Sequence, residues 1–237
     1  PSTTAFKDDK DTVLLMHMDG GGGIDPATNL PTLPGQGTYF WDASTNAIFY
    51  DAAGVPTNKS LISFDGSGDY LSVPDSADWD LGTGDFTFEL WVNLKAYQAN
   101  EEDFLYTSSG NTFGFRWDNQ INLTMNLGSG SYTQSYDMEL GQWYNLAFVR
   151  TSGQLKFFVD GTQQGSDQAS TDSIAVSSSL FIGGRTANGR YMNAYMDQIR
   201  ISSLARYTSA YTPSTTPFTT DANTKLLVQS DWSEGGL

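Results

Sequence analysis

Apolar and polar residues alternate along most of this chain with a period of two, which is typical of β-strands that bury one face. The alternation is clearest in segments 86–90, 113–117 and 196–201. No window shows apolar residues at the i, i+3, i+4 spacing over the length of a helix. The pattern predicts strands near residues 14–18, 61–64, 70–73, 86–94, 103–107, 112–117, 122–127, 131–136, 143–149, 155–159, 179–183 and 195–201. Short strands at this spacing, separated by glycine-containing turns, predict an all-β fold, an antiparallel β-sandwich of two sheets.

One β-hairpin stands out in the second half of the chain. Two runs of apolar and aromatic residues, 143–149 and 155–159, flank a short turn at residues 151–154. The second run ends in Asp160-Gly161, a dipeptide that favours tight turns. The segment therefore predicts two paired strands with buried inner faces. The large apolar side chains at alternating strand positions are expected to form the core: Phe64, Tyr70, Phe88, Trp91, Trp143, Phe148, Phe157 and Ile199.

The acidic composition narrows the classes of partner. The chain has 237 residues, with 27 acidic and 12 basic side chains and a net charge of −15. This charge disfavours nucleic acid and anionic membranes as partners, and it is typical of a well-solvated surface. The absence of cysteine excludes disulfides, thiolate catalysis and zinc–thiolate sites. No segment approaches the roughly 18 apolar residues of a membrane span, so no membrane insertion is expected.

Two similar segments lie near the ends of the chain. Residues 11–20 and 221–231 share an aspartate, a threonine, a pair of leucines and a closing aspartate, in that order. Either both are strands of one sheet, or a second module of a tandem array begins near residue 219. We therefore divide the chain into an N-terminal extension (1–10), a domain (11–212) and an extended C-terminal segment (213–237) where a further module would begin. The chain opens on Pro1 rather than Met, which favours a processed form or a piece of a longer protein.

The hairpin of residues 141–161 resembles the "GxWYHVAxVRxxGxLxLYVDG" hairpin of the laminin-G-like, concanavalin A-like jelly rolls, with Asn145 where the family usually has His. The resemblance spans roughly residues 11 to 212 and implies a jelly-roll sandwich from a family made up mainly of glycan- and protein-binding modules. The opening "LLMHMDG" and the closing segment 205–227 are similar to copies in bacteriophage structural proteins. The other matching segments are 63–74 ("FDGxGDYLxVP"), 86–92 ("FTIExWV"), 178–184 ("LxIGG") and 196–202 ("xDEVRIS").

The carboxylates do not follow the pattern that glycoside hydrolases of this fold use. Those enzymes place Glu-x-Asp-x-x-Glu on one strand, and retaining hydrolysis needs two carboxyl groups about 5 Å apart. Glu101, Glu102 and Asp103 are contiguous, so we expect their side chains to alternate between the faces of a strand and not to converge. The single histidine, His17, lies in an apolar strand and is expected to be structural. We therefore expect no enzymatic activity.

The resemblance also implies a structural calcium ion, which in related jelly rolls joins the first strand to the last. Asp197 aligns with the aspartate of "xDEVRIS", and Asp19 closes the opening strand, so these two residues are the candidate ligands. The family's usual glutamate is Gln198 here, which removes one acidic oxygen donor.

Glycan recognition needs aromatic faces for the C–H groups of a sugar and polar side chains for its hydroxyls. Two turn regions, 113–120 and 186–191, offer both kinds of side chain. The ordinary alternative is that these regions are hairpin tips, where Asn, Asp and Gly are common. The candidate ligand-binding residues are Arg116, Trp117, Asp118, Asn119, Asn188, Arg190 and Tyr191.

These observations favour a non-catalytic module that attaches a virion surface, or another extracellular or cell surface, to host glycans. Single lectin sites are weak, so this function implies an oligomeric or multivalent assembly. A second hypothesis is a decoration or fibre protein that contacts only other virion subunits or copies of itself. A third is a glycoside hydrolase of the same fold.

Overall fold

The computed structural model describes residues 15–17, 24–25, 30–31, 48–51, 60–98, 101–107, 113–118, 120–185 and 189–229. Within these ranges the chain forms strands and one 3₁₀ turn, Ala77–Trp79, and no α-helix. No helix in the described part is long and apolar enough to span a membrane. The strands are β1 (Leu15–His17), β2 (Ile24–Asp25), β3 (Leu30–Pro31), β4 (Ile48–Asp51), β5 (Ser60–Asp65), β6 (Leu71–Val73), β7 (Phe86–Ala96), β8 (Glu101–Thr107), β9 (Phe113–Asp118), β10 (Asn122–Leu127), β11 (Gly130–Ser135), β12 (Trp143–Thr151), β13 (Gln154–Val159), β14 (Thr162–Ala169), β15 (Leu180–Ile182), β16 (Gly184–Arg185), β17 (Arg190–Tyr191), β18 (Asn193–Ser202) and β19 (Thr224–Gln229).

The strands form a sandwich of two sheets, which confirms the predicted fold class. The larger sheet has nine strands in the order β1-β19-β18-β7-β12-β13-β14, and β5 joins it through β18 and pairs with β4. The smaller sheet has six strands in the order β11-β10-β9-β8-β15-β6. Neighbouring strands are antiparallel, except that β1 runs parallel to β19. The pairs β2–β3 and β16–β17 form separate two-stranded sheets.

Aromatic side chains from the two sheets meet in the core between them. Phe88 of the larger sheet stacks on Phe115 of the smaller sheet, with 4.4 Å between the ring centroids. Phe148 of β12 lies 5.1 Å from Phe115, measured in the same way. All three side chains are at most 1% exposed. Burial of large apolar side chains is the main contribution to folding, at about 25 cal/mol per Å² of apolar area.

Most of the predicted core side chains are buried, and three of them are placed differently from the prediction. Tyr70 and Trp143 are half-buried. Trp91 is buried, but it lies opposite Asn145 on the outer side of β7 and does not belong to the core between the sheets. Both faces of β7 are covered, so alternation alone could not tell which side Trp91 takes.

Residues 203–223, which we call the strap, follow β18 and cross the outer face of the larger sheet. Tyr207 and Tyr211 of the strap pack against Phe158 and its apolar neighbours. The two tyrosine rings are nearly parallel, with centroids 3.5 Å apart. The hydroxyl of Tyr211 donates to Oδ1 of Asn145 at 2.7 Å. The strap therefore buries an outer sheet face that would otherwise meet solvent.

A buried carboxylate fixes the strap to the sheet. Glu89 is fully buried, and its Oε1 accepts a hydrogen bond from Nε of Arg200 at 2.9 Å. Its Oε2 accepts a hydrogen bond from the hydroxyl of Tyr207 at 2.7 Å. Burial, with the charge of Glu89 as a lesser cause, raises the pKa of Tyr207, so the hydroxyl remains a donor.

A second contact, between two residues of the strap, lies nearby. Arg206 donates to both carboxylate oxygens of Asp221 at 3.0 Å, which lowers the pKa of Asp221 to about 2.

The C-terminal region continues the larger sheet. Strand β19 lies between β1 and β18, so the sandwich extends past residue 212, where the sequence placed the domain boundary. The parallel pairing sets the two similar terminal segments side by side, with Leu15 opposite Leu227 and Met16 opposite Val228. They are therefore adjacent strands of one sheet, which was the first of the two explanations for their similarity. Residues 1–10 and 230–237 lie outside the described part of the chain.

We expect Tyr207→Phe to lower the free energy of unfolding by about 2 kcal/mol, because a buried carboxylate loses a hydrogen-bond donor. Tyr211→Phe is the matched control, since it removes the same hydroxyl from a neutral acceptor and should cost about 1 kcal/mol. Urea unfolding of both variants and the parent protein measures the difference. Equal losses in the two variants would contradict the assignment of Glu89 as the group that fixes the strap.

Asp221 should make the fold sensitive to acid. Its pKa in the folded state lies below the usual 3.8, so its carboxylate stabilises the fold above about pH 4 and this contribution disappears as the pH falls towards 2. We expect Asp221→Asn to lower the melting temperature near pH 6 and to have little effect near pH 2. Thermal unfolding of the variant and the parent protein across this range tests the prediction. A difference that stays constant with pH would contradict it.

Candidate functional site

The register of the smaller sheet sorts its side chains onto two faces. Phe115 and Trp117 of β9 and Met125 of β10 point into the core. Residues directly opposite one another in antiparallel strands share a face, so the intervening side chains form outward-facing rows across the sheet. We call this outward surface the polar face. Its rows are Glu101, Asp118, Asn122 and Ser135; then Asp103, Arg116, Thr124 and Thr133; then Gly114, Asn126 and Ser131.

Glu101 joins the two regions that the sequence singled out. Nη1 of Arg116 lies 3.4 Å from Oε2 of Glu101, and Arg190 of β17 forms an ion pair with the same oxygen. Nη2 of Arg116 also lies 3.1 Å from Oδ2 of Asp118. The structure thus brings Arg116, Asp118 and Arg190 together at one end of the polar face. No local pattern of residues indicates this role for Glu101, because the role depends on the pairing of β8 with β9.

Aromatic rings form a border beside this cluster. Tyr191, the neighbour of Arg190 in β17, stacks on Tyr70 with 6.3 Å between ring centroids. Tyr70 in turn meets the ring of Phe181 edge-on at 5.5 Å. Tyr70, Phe181 and Tyr191 are all half-buried, so each retains some ring surface towards solvent. Such surfaces are suited to contact with the C–H groups of a sugar.

The structure places Trp117 in the core, which removes it from the candidate set. Its side chain is 0% exposed, and its ring packs 5.4 Å from that of Tyr97. Its Nε1 donates to the backbone oxygen of Tyr136 at 2.8 Å. A ring with no exposed face cannot stack on a sugar from solvent. The prediction relied on the nearness of the turn, whereas alternation assigns Trp117 to the same inward face as Phe115.

Two other candidates cannot be placed. Asn119 and Asn188 lie outside the described residues and stay predictions.

Thr124 and Asn126 are two polar residues of the smaller sheet that were not among the candidates predicted from the sequence. Both lie on the polar face, with exposed fractions of 0% and 2%. Oγ1 of Thr124 and Nδ2 of Asn126 have no hydrogen-bond partner within the part of the chain that the structure describes. Polar residues occupy every second position of residues 122–127, and this alternation could have predicted that Thr124 and Asn126 share one face of a strand.

The acidic triplet at the start of β8 divides between the two faces. Glu102 lies opposite Trp117 and is 2% exposed, so it does not face outward. Glu101 and Asp103 lie opposite outward residues of β9 and share the polar face. The expectation that these carboxylates cannot converge therefore holds only for Glu102. Glu101 nevertheless pairs with two arginines, whereas retaining hydrolysis needs one carboxyl group that donates a proton.

The predicted calcium ligand Asp197 lies on the outer side of the larger sheet, opposite Trp91, and is fully buried. Nε2 of Gln198 donates to its Oδ2 at 3.3 Å. In the adjacent strand, Gln229 is 7% exposed, and its Oε1 has no hydrogen-bond partner among the described residues. Oxygen donors of this kind fit a hard cation. The described ranges contain no group of three or more His, Cys, Asp or Glu side chains that could hold a metal, and Asp19 lies outside them, so the calcium site stays a prediction.

Comparison with known proteins identifies the fold family. No curated protein matches the chain. Among solved structures, a candidate carbohydrate binding protein from Bacteroides ovatus is 14% identical to this chain, with a TM-score of 0.55. The match covers 71% of this chain and 51% of the Bacteroides protein, so this chain spans about half the length of that protein. Domain 4 of AbnA, a GH43 extracellular arabinanase from Geobacillus stearothermophilus solved with arabinotriose, is 16% identical with a TM-score of 0.51, over 67% of this chain and 75% of that one. A Trypanosoma rangeli sialidase is 16% identical with a TM-score of 0.50, over 71% of this chain and 30% of that one.

At these identities the solved structures establish a shared fold and nothing more. The Laminin_G_3 family, described as the concanavalin A-like lectin/glucanases superfamily, matches residues 65–210. This match covers more than half of the sequence, and it contains the hairpin, the polar face and the aromatic border. The chain therefore belongs to the concanavalin A-like lectin/glucanases superfamily.

Proposed function

We propose that this protein is a non-catalytic module that binds glycans through the polar face and its aromatic border. The observation that carries the proposal is the convergence of Arg116, Asp118 and Arg190 around Glu101, with Tyr191 beside them. The family supports it, as do the candidate carbohydrate binding protein and the arabinotriose-bound domain that share the fold.

The arrangement supplies what a sugar requires. Guanidinium and carboxylate groups present hydrogen-bond donors and acceptors in fixed planes, which suits adjacent hydroxyl groups. Each side chain is oriented by its ion-pair partner, so less conformational entropy is lost when a ligand binds. The ring of Tyr191 provides an apolar surface for one side of a sugar ring, held in place by Tyr70.

The setting that fits this chemistry is the surface of a virion, with a host glycan as the ligand. The resemblance of the opening and closing segments to bacteriophage structural proteins supports this setting, and an extracellular or cell-surface location is the alternative. A single shallow site binds weakly, so attachment would rely on several copies acting together.

Two other functions retain specific support. Tyr97, Ile121 and Leu140 are large apolar side chains with 38%, 54% and 42% of their surface exposed, which favours contact with another subunit. A protein that serves only as a decoration or fibre subunit would use such contacts and would show concentration-dependent association without any response to sugars.

The second alternative is a glycoside hydrolase. Its support is that Glu101 and Asp103 share one face of β8, and release of reducing sugar from a β-glucan would reveal this activity.

A glycan-array screen of the purified protein tests the principal proposal. We expect selective binding and a roughly tenfold loss of affinity in Tyr191→Ala, equivalent to about 1.4 kcal/mol. Tyr195→Ala is the matched control, because Tyr195 is also half-buried but lies on the larger sheet. If the parent protein bound no glycan on the array, the proposal would be overturned and a structural subunit would be favoured. Equal losses in the two variants would overturn the placement of the site.

We also propose that Asp197 helps to hold a calcium ion, with Gln229 as a further oxygen donor and Asp19 as the second carboxylate. By binding Asp197 in β18 and Gln229 in β19, the ion would join these two neighbouring strands. We expect calcium to raise the melting temperature of the parent protein above its value in chelator, because a ligand that binds only the folded state stabilises it. Asp197→Asn should abolish this difference. Identical melting temperatures of the parent protein with calcium and with chelator would refute the calcium site.

A further inference from the structure

Three exposed apolar side chains lie at one end of the sandwich, and we call them the end patch. Tyr97 directly follows β7, Ile121 lies in the turn between β9 and β10, and Leu140 lies in the segment between β11 and β12. They are the large apolar side chains that the described part of the chain exposes most. Single exposed apolar residues are ordinary, whereas several that meet at one place indicate a contact surface.

Hydrogen bonds and a ring contact join the segments that carry Tyr97 and Ile121. The backbone N–H of Tyr136 donates to the backbone oxygen of Ile121 at 2.8 Å. The backbone oxygen of Tyr136 accepts a hydrogen bond from Nε1 of Trp117 at 2.8 Å. The ring of Trp117 in turn lies 5.4 Å from that of Tyr97, measured between centroids. The two members of the end patch are therefore separated by one buried ring.

The segment that carries Leu140 is fixed to the end of β7. The hydroxyl of Tyr97 donates to the backbone oxygen of Met138 at 3.2 Å. The backbone N–H of Gly141 donates to the backbone oxygen of Leu94 at 2.8 Å. Hydrogen bonds thus hold the chain on both sides of Leu140. A surface ordered in this way loses little conformational entropy when a partner binds.

The charges around the end patch are acidic. Residues 117–149, which supply two of its three members, contain no lysine or arginine. Asp137 and Glu139 lie in the same segment as Leu140, and both are exposed. Lys95 of β7 is directed across the larger sheet, where its Nζ donates to Oγ of Ser63 at 3.2 Å. The end patch is therefore an apolar centre with an acidic border.

This combination distinguishes between two kinds of partner. A second copy of the chain would bring two acidic borders together, and like charges placed opposite one another in an interface are costly. Protein interfaces commonly have an apolar centre and a polar rim. The complement of the end patch is thus a surface with apolar side chains at its centre and basic side chains at its rim.

We infer that the end patch docks a different protein, one whose contact surface has an apolar centre and a rim of lysine or arginine. This inference goes beyond glycan binding and does not depend on it. A partner that carried several copies of the module would also supply the multivalency that weak glycan sites require.

The first test uses two synthetic helical peptides as probes. Both have the same leucine face, and the polar positions are lysine in one peptide and glutamate in the other. We expect calorimetric titration at low salt to show at least tenfold tighter binding of the lysine peptide, with a gap that narrows as salt is added. Equal or tighter binding of the glutamate peptide would overturn the inference.

The second test locates the binding of the lysine peptide, because a protein with a net charge of −15 attracts any basic peptide. The double variant Ile121→Ser/Leu140→Ser removes the apolar centre and keeps every charge. We expect it to lose at least tenfold in affinity and to keep the parent melting temperature, since both side chains are exposed. Full affinity of the double variant would place the peptide elsewhere and overturn the inference.

A matched pair of charge variants tests the acidic border. Asp137→Asn should reduce affinity for the lysine peptide about threefold, as expected for one exposed charge. Asp75→Asn makes the same change at an exposed position that follows β6, at the opposite end of the smaller sheet, and should leave affinity unchanged. Equal losses in the two variants would show a general effect of charge and contradict a defined border.

Two further measurements separate the end patch from its alternatives. Sedimentation of the parent protein over a range of concentrations should match that of the double variant. Association of the parent protein that the double variant abolishes would identify a second copy as the occupant and overturn the inference. The double variant should also bind the same glycans as the parent protein, and a loss there would assign the end patch to the sugar site instead. If the parent protein bound no glycan, the proposed function would fail while the peptide titrations still decided this inference.

Discussion

The stack of Phe88 on Phe115 determines which side of each sheet faces outward. These rings join the larger sheet to the smaller one across the core, with 4.4 Å between their centroids. Because side chains alternate along a strand, an inward Phe115 requires an outward Arg116, and an inward Phe88 requires an outward Glu89. The polar face and the anchor of the strap both follow from this contact. A register slip of one residue would exchange core and surface throughout both strands.

The two outer faces of the sandwich have opposite characters for this reason. On the larger sheet, Glu89 and the apolar cluster around Phe158 are covered by the strap, whose tyrosines supply both hydrogen bonds and ring contacts. The chain itself therefore provides the partner of that face. On the smaller sheet the outward rows are polar or charged and include buried groups that have no partner in the described part of the chain. This difference is a reason for proposing the polar face, rather than the outer face of the larger sheet, as the binding surface.

The sequence predicted the strands whose apolar residues alternate, and it missed those without such a pattern. Strand β14 is an example, since its residues are almost all polar and it lies at a sheet edge. In the candidate site, composition identified Arg116 and Arg190 but not Glu101, because only the pairing of strands brings a third segment between them. Trp117 was misplaced although its own alternation assigned it to the core. Contacts between distant strands arise from tertiary packing, which local patterns do not encode.

The parallel pairing of β1 with β19 has a mechanical consequence. Both strands run in the same direction. Tension applied to the N-terminal end of β1, at residue 15, and to the C-terminal end of β19, at residue 229, therefore acts in opposite directions along the strands and would slide them past each other. In this geometry the backbone hydrogen bonds of the pair are loaded together, whereas opposite strand directions would let them open one at a time. The rate of unfolding governs survival under force, and loading in shear keeps that rate low. A module attached at its two ends would therefore bear tension along the axis of its strands.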